Sequence, residues 1–421
     1  MHRIQFVYLM IFSFLFFHSF ECNHLDDSSL DLNEVAYHDE PSQIYLGSPS
    51  IVRLSTGRLV ASHDFFGIGY NGQPRNASVY VSDDNGETWT FSSYIKHSYW
   101  TTLAVYNNVI YAIGTTSDSN AHIIIHRSSD NGASWNYNGD DEGVVLFNGS
   151  FATGATPIVI ANKVMYRGIE AWTAPSRWPD DFHAAIISCD LSKSNDLTDD
   201  DPIMSPSHWR LTPPLPFDRN WIPKSFPNIS LPGYLEGNVV IAPKPSSTEF
   251  RVLNILRFNS APLNDLAVIL ELNQTTNTLS FVSFINFPGG NTKFSIRYDP
   301  ITQTYFSLIN TQLRNVLGFS YTKDLLNLSK WIVAEDRLLY DDTGLTATDS
   351  RRYTGFQYVD WQFDNLTLPL SDSKASCIEW DCDGGPHIIY LIRTGYRGAN
   401  SFHNSNRITY KVLRNYRKFI R

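Results

Sequence analysis

Ser82-Asp83-Asp84-Asn85-Gly86-Glu87-Thr88-Trp89 and Ser128-Ser129-Asp130-Asn131-Gly132-Ala133-Ser134-Trp135 spell one word twice, S-x-D-x-G-x-[ST]-W. Each copy follows a strand-like apolar run, Val79 to Val81 and Ile123 to Ile125. The word has a physical reading as a turn. An Asp at a strand end accepts hydrogen bonds from its own backbone, Asn-Gly supplies the positive φ that closes a hairpin, and Trp anchors the turn in apolar surroundings. The interval of 46 residues falls among the periods of propeller blades rather than helical solenoids. A degenerate third copy spans Ser320 to Trp331, where Lys323-Asp324 leads by a longer turn to the Trp, roughly four periods downstream.

Composition agrees with a large β domain. Of 421 residues 42% are hydrophobic and 14% aromatic, with 24 Gly and 21 Pro to connect many short strands. Strand-like runs recur at Val239 to Ala242, Val252 to Leu256, Ala267 to Leu270, Tyr305 to Ile309 and Ile388 to Ile392. A net charge of -9 with no basic cluster argues against a nucleic-acid partner, whose phosphates require a positive surface. Met1-His2-Arg3 followed by the apolar run Phe6 to Phe17 reads as a secretory signal peptide over residues 1–22, and no later run is apolar for long enough to span a bilayer. A secreted, extracellular glycoprotein is therefore expected, with an acidic lead over 23–43 and one strand-rich body over 44–421. Six N-x-[ST] sequons begin at Asn76, Asn148, Asn228, Asn273, Asn327 and Asn365. Of the four cysteines, Cys377 and Cys382 can close a small loop, and Cys189 is either free or paired with Cys22. No Cys/His spacing indicates zinc, and no metal or cofactor is expected. Two stretches interrupt the strand rhythm, Asp190 to Trp209 and Leu211 to Gly233, as loops that either wall a binding face or decorate an outer edge.

The repeated word resembles the Asp-box (BNR repeat) of the sialidase, or neuraminidase, superfamily. That resemblance implies an all-β, sialidase-like β-propeller of six blades, with the Asp-boxes on outer hairpins. It also implies a site with three Arg holding a substrate carboxylate, a Tyr nucleophile activated by a Glu, and a separate Asp as acid/base; sialidases are the glycosidases that use a Tyr nucleophile. A neutral phenol approaches an anomeric centre beside a carboxylate with less repulsion than a carboxylate would. Leu235-Glu236-Gly237-Asn238 followed by Ile255-Leu256-Arg257-Phe258 resembles the segment carrying the Glu and the second Arg. Leu313-Arg314-Asn315-Val316 resembles the one carrying the third Arg, and Gly355-Phe356-Gln357-Tyr358-Val359-Asp360-Trp361 places Tyr358 where the nucleophile belongs. Glu236 also stands out by itself, since a charge opening an apolar strand is costly unless paired.

The sequence departs from the family in two places. Tyr45-Leu46-Gly47-Ser48-Pro49 has Gly47 where the first Arg belongs, and the loop Gly67 to Asn76 contains no carboxylate. Asp64, with His63 beside it, is the candidate acid/base at the end of Leu59 to Asp64. Arg393-Thr394-Gly395-Tyr396-Arg397-Gly398-Ala399-Asn400, running into His403, is either a ring-closing turn or a sugar-binding loop in which Arg397 or His403 replaces the missing anchor. Arg167 to Trp172 and Lys293 are weaker candidates of the same type. The expected function is a secreted sialidase-like exo-glycosidase acting on a terminal acidic or modified sugar of a glycan. The alternatives are a non-catalytic carbohydrate-binding propeller and a propeller polysaccharide lyase.

Overall fold

The computed structural model describes residues 32–172, 177–192, 201–244, 249–311, 313–326, 331–340, 346–364 and 386–420. The expected signal segment, the sequons at Asn327 and Asn365, and Cys22, Cys377 and Cys382 lie outside these residues.

Six antiparallel sheets, each entered at its innermost strand, make a six-bladed β-propeller. Blade 1 comprises Ser50–Arg53, Leu59–His63, Ala77–Ser82 and Thr90–Ile95; blade 2 comprises Tyr99–Tyr106, Val109–Thr115, Ile123–Ser128 and Val144–Phe147. Blade 3 is built on Val164–Ala171, His183–Asp190 and Trp209–Leu211, with Phe151–Ala152 and Val159–Ala161 both pairing its Val164–Ala171 strand. Blade 4 holds Tyr234–Pro243, Phe250–Phe258, Leu266–Asn273 and Thr278–Asn286; blade 5 holds Ser295–Asp299, Thr304–Asn310, Val316–Thr322 and Ile332–Tyr340. Blade 6 runs outward through Gly355–Asp364, His387–Gly395 and Arg407–Leu413, and Asn33–Tyr37 supplies its outermost strand. The propeller therefore begins inside the acidic lead, earlier than the boundary at 44 that composition suggests.

The core lies between blades because both faces of each sheet are covered. Tyr111, Ile113 and Ile125 of blade 2 pack against Met165, Ile169 and Ile187 of blade 3, all essentially inaccessible. The two repeated words fold into one turn. Ser82 Oγ donates to Asp84 Oδ1 (2.7 Å) and accepts from Gly86 N (2.8 Å), while Asp84 Oδ1 accepts from Thr88 N (2.9 Å). Ser128, Asp130, Gly132 and Ser134 repeat these bonds at 2.8, 2.9 and 2.9 Å. Asn85 and Asn131 adopt φ of 64° and 61°, as the hairpin requires. The turns join the third and outer strands and lean on the preceding blade, where Gly86 meets the Tyr410 ring and Gly132 meets Val60. Within Leu211 to Gly233, the aromatic residues lie on the outer edge of blade 4: Trp221 stacks on Phe281 at 4.7 Å, and Phe217 and Phe226 pack on Phe284. Cys189 is buried in blade 3, its thiol 3.6 Å from the Pro202 carbonyl and pushed up to about 12, first by burial. No helix among the described residues is long and apolar enough to cross a membrane, and no cluster of three or more metal-ligating side chains occurs among them.

Candidate active site

The innermost strands of blades 2, 4 and 6 carry the same irregularity. Regular pairing lapses between Tyr99 and Thr102, between Leu235 and Asn238, and between Gln357 and Asp360. The residue after the first member of each pair is left-handed: Trp100 (φ 46°), Glu236 (φ 59°) and Tyr358 (φ 55°). Such bulges re-aim a side chain, and non-glycine residues with positive φ concentrate at functional sites. The polar residue that ends each bulge ties it to the next blade. Thr102 Oγ1 donates to the Thr156 carbonyl, Asn238 Oδ1 accepts from Ile296 N, and Asp360 Oδ2 accepts from Ser50 Oγ and Ile51 N. A buried ionisable side chain braces each bulge as well. Arg167 Nη2 donates to the Trp100 carbonyl (2.8 Å), Glu170 Oε1 accepts from Gly237 N (2.9 Å), and Lys293 Nζ donates to the Val359 carbonyl (2.6 Å).

Two of these bulges meet. Tyr358 Oη donates to Glu236 Oε1 at 2.8 Å, and Arg257 Nη1 donates to Glu236 Oε2 at 3.0 Å. Arg257 is further held by the Asn291 carbonyl, and Arg314 Nη1 donates to Gln357 Oε1 at 2.6 Å, with its guanidinium 5.9 Å from the centre of the Tyr358 ring. The structure thus brings Tyr358, Glu236, Arg257 and Arg314 together. It adds Arg393, which ends an apolar strand of blade 6 and lies 5.0 Å from the Tyr358 ring centre and 4.3 Å from that of Phe66. Its Nε donates to Ser405 Oγ and its Nη2 to the His403 carbonyl. Sequence reasoning passed over Arg393 for Arg397, although a charge closing the run Ile388 to Ile392 carried the same signal as Glu236.

Electrostatics at this centre are lopsided. Three guanidinium groups, those of Arg257 and Arg393 buried and that of Arg314 half-buried, surround one phenol and one carboxylate in a protein of net charge -9. Burial and the Glu236 charge push the Tyr358 phenol up, and the three arginines pull it back. Burial lowers Arg314, and burial with repulsion from Arg314 brings Arg393 down to about 10. For Arg257 burial is outweighed by Glu236 and Tyr358, so it rises. Behind Glu236, burial raises Glu170 to about 8 against the pull of the Gly237 and Glu236 amides. Lys293 falls to about 8 for the same reason of burial.

Asp64 stands where a side chain at residue 47, the position at which the resemblance expects an Arg, would project. A Cβ on Gly47 would lie 1.6 Å from Asp64 Oδ1, so the carboxylate and a side chain at residue 47 exclude each other. Asp64 Oδ1 accepts from Ser48 N and Oδ2 from Trp100 N, each at 2.7 Å. Burial raises Asp64 to about 6, while those amides and Arg393 pull downward. His63 points elsewhere: it is 1% exposed, packs on Phe65 (4.8 Å) and Tyr80 (5.7 Å) inside blade 1, and is lowered to about 4, first by burial. His403 lies exposed at the rim, edge-on to Phe66 at 5.3 Å. Arg397 is exposed over Tyr396, away from Tyr358 in its hydrogen bonds and ring contacts.

No known protein family's profile and no curated protein matches the sequence. Solved structures do. A Dyadobacter fermentans protein of unknown function is 14% identical over 90% of this chain and 96% of its own, with a TM-score of 0.52. A Penicillium chrysogenum α-L-arabinanase complexed with arabinobiose is 13% identical over 90% and 97%, with a TM-score of 0.44. A Trypanosoma rangeli sialidase in complex with sialic acid is 13% identical over 80% and 49%, with a TM-score of 0.46. At such identities the likeness concerns the fold alone.

Proposed function

We propose that this chain is a secreted, sialidase-like retaining exo-glycosidase that removes a terminal acidic sugar from a glycan. The observation that carries the reading is the 2.8 Å hydrogen bond from Tyr358 to Glu236 inside a cluster of three arginines. Glu236 takes the phenolic proton as Tyr358 Oη attacks the anomeric carbon, and a glycosyl-tyrosine forms with inversion; water then displaces the tyrosine with a second inversion. The positive excess favours a substrate that brings a carboxylate, with Arg314 and Arg393 both beside the Tyr358 ring to receive it. Asp64, poised near neutrality by burial, is the candidate donor to the leaving oxygen.

The second reading is a carbohydrate-binding propeller without turnover. It is favoured by Gly47, which removes one arginine, and by the two backbone amides that occupy the Asp64 oxygens. Tyr358→Phe decides between them. Against a panel of sialosides, uronic-acid oligosaccharides and neutral glycans, the glycosidase reading expects sugar release that falls by on the order of 10³-fold or more in the variant at unchanged thermal stability. Release retained by the variant overturns the nucleophile; silence of the wild type with glycan binding intact selects the binding propeller.

A further inference from the structure

Phe91 and Tyr94 stand on Thr90–Ile95, the outer strand of blade 1, 45% and 55% exposed, with their rings 4.8 Å apart. Aromatic rings beside an open sheet edge invite pairing with another chain unless something covers them. A cavity of 270 Å³ opens next to Tyr94, walled also by Phe65, Tyr70, Gln73, Pro74 and Asn76. Its wall is tied together. Tyr70 Oη donates to the Pro74 carbonyl at 2.6 Å, Asn76 N donates to the same carbonyl at 3.0 Å, and the Tyr70 ring packs on Phe65 at 5.1 Å.

Asn76 is also the first residue of the sequon Asn76-Ala77-Ser78. Ser78 pairs directly with Tyr94 across the two outermost strands of the blade, so the sequon and the exposed ring are neighbours. His97 N donates to Asn76 Oδ1 at 3.2 Å, which fixes the half-buried amide; its Nδ2, the atom that glycosylation modifies, has no hydrogen-bond partner among the described residues. In that reaction the amide nitrogen attacks the anomeric carbon of a lipid diphosphate-linked oligosaccharide. The N–C bond forms, the C–O bond to the diphosphate breaks, the diphosphate leaves with the electron pair, and the amide gives up one proton. The first sugar of such a glycan, N-acetylglucosamine, matches the cavity in chemistry: a face of C–H bonds for the Tyr94 ring, and an acetamide and hydroxyls for the exposed amide of Gln73 and for water.

We infer that Asn76 carries an N-linked glycan whose first N-acetylglucosamine sits in this cavity against Tyr94, so that the chain's own sugar covers the outer edge of blade 1. The inference rests on entry of the chain into a eukaryotic secretory route and is independent of what the central site does. The test has two arms. The full chain is expressed in insect cells, collected from cells and medium together, and mapped by mass spectrometry after release of glycans by peptide N-glycosidase in heavy-oxygen water; Asn76 is expected to be labelled in most copies. An unlabelled Asn76 with label at Asn148, Asn228 or Asn273 removes the site and leaves the secretory reading, whereas no label at any sequon removes both. The second arm times the same enzyme on folded and on denatured protein. Docking of the first sugar is expected to slow release at Asn76 by about tenfold in the folded wild type, Tyr94→Ala to bring the rate to within about twofold of the denatured protein, and Tyr94→Phe to keep the protection. Equal rates in folded and denatured wild type, or protection that survives Tyr94→Ala, overturn the docked sugar.

Discussion

Replacing Glu170 by Gln should stabilise this protein, and by an amount that depends on pH. Glu170 is 1% exposed, braces the bulge of Glu236 through Gly237 N, and is raised from an ordinary 4.5 to about 8 by burial. The unfolded chain releases this proton above 4.5, whereas the folded chain keeps it up to about 8. Between those values the native state binds the extra proton, so stability falls as pH rises through the interval. At about 1.4 kcal/mol per pH unit the full interval amounts to ~5 kcal/mol by pH 8, and to less than ~1 kcal/mol at pH 5. A Gln carries no charge to desolvate and still offers Oε1 to Gly237 N. For the body Leu32–Arg421, an unfolding entropy of about 2 cal/mol/K per residue converts ~5 kcal/mol into a gain of about 6 °C at pH 8, against about 1 °C at pH 5. Thermal scans of both proteins at the two pH values measure it. An equal change at both, or a loss of stability at pH 8, would refute the reasoning and show that Glu170 is ionised in the native state and stabilised by its two amides.

Two further outcomes follow from burial. Gly47→Ala puts a methyl group against Asp64 Oδ1 in a site with no slack; a loss of about 1–3 kcal/mol in urea unfolding is expected, relieved in the Asp64→Gly background, and equal losses in both backgrounds would sink the steric account. His63 is lowered from 6.5 to about 4, so it stays neutral in the fold while the unfolded chain takes up a proton below 6.5. Stability from this residue is therefore lost as pH falls from 6.5 to about 4, by ~3 kcal/mol over the whole interval, and His63→Leu should flatten the acid limb by ~2 kcal/mol when pH 7 and pH 4.5 are compared.

What the sequence revealed was whatever is local. The turn of Ser82 to Trp89 closes on itself through Ser82, Asp84 and Thr88, so its word can be read without the rest of the chain. Glu236 could be singled out because a charge at the head of an apolar strand needs a partner, although not which partner. The bulge at Trp100 left no comparable mark: it exists only in the offset between Tyr99 and Thr102 on one strand and Thr115 and Ile113 on the other. The exclusion between Gly47 and Asp64 was equally hidden, because the two residues flank a pair of short strands, Tyr45–Leu46 and Phe65–Phe66, that are brought together with two strands of blade 1 between them in the chain.

The strand Asn33–Tyr37 has a consequence for how the protein is made. Asn33 pairs with Tyr410, so the first of the described strands waits during synthesis for the last of them. At synthesis rates of about 5–20 residues per second the wait is roughly 20–75 s. Throughout it the nascent chain offers an unpaired strand at one end and, once Arg407–Leu413 emerges, an open sheet edge at the other. Two newly made copies could satisfy each other's edges as well as each satisfies its own. Ring closure is then a competition between one chain's ends and its neighbours, decided by how crowded the compartment is when the final blade arrives.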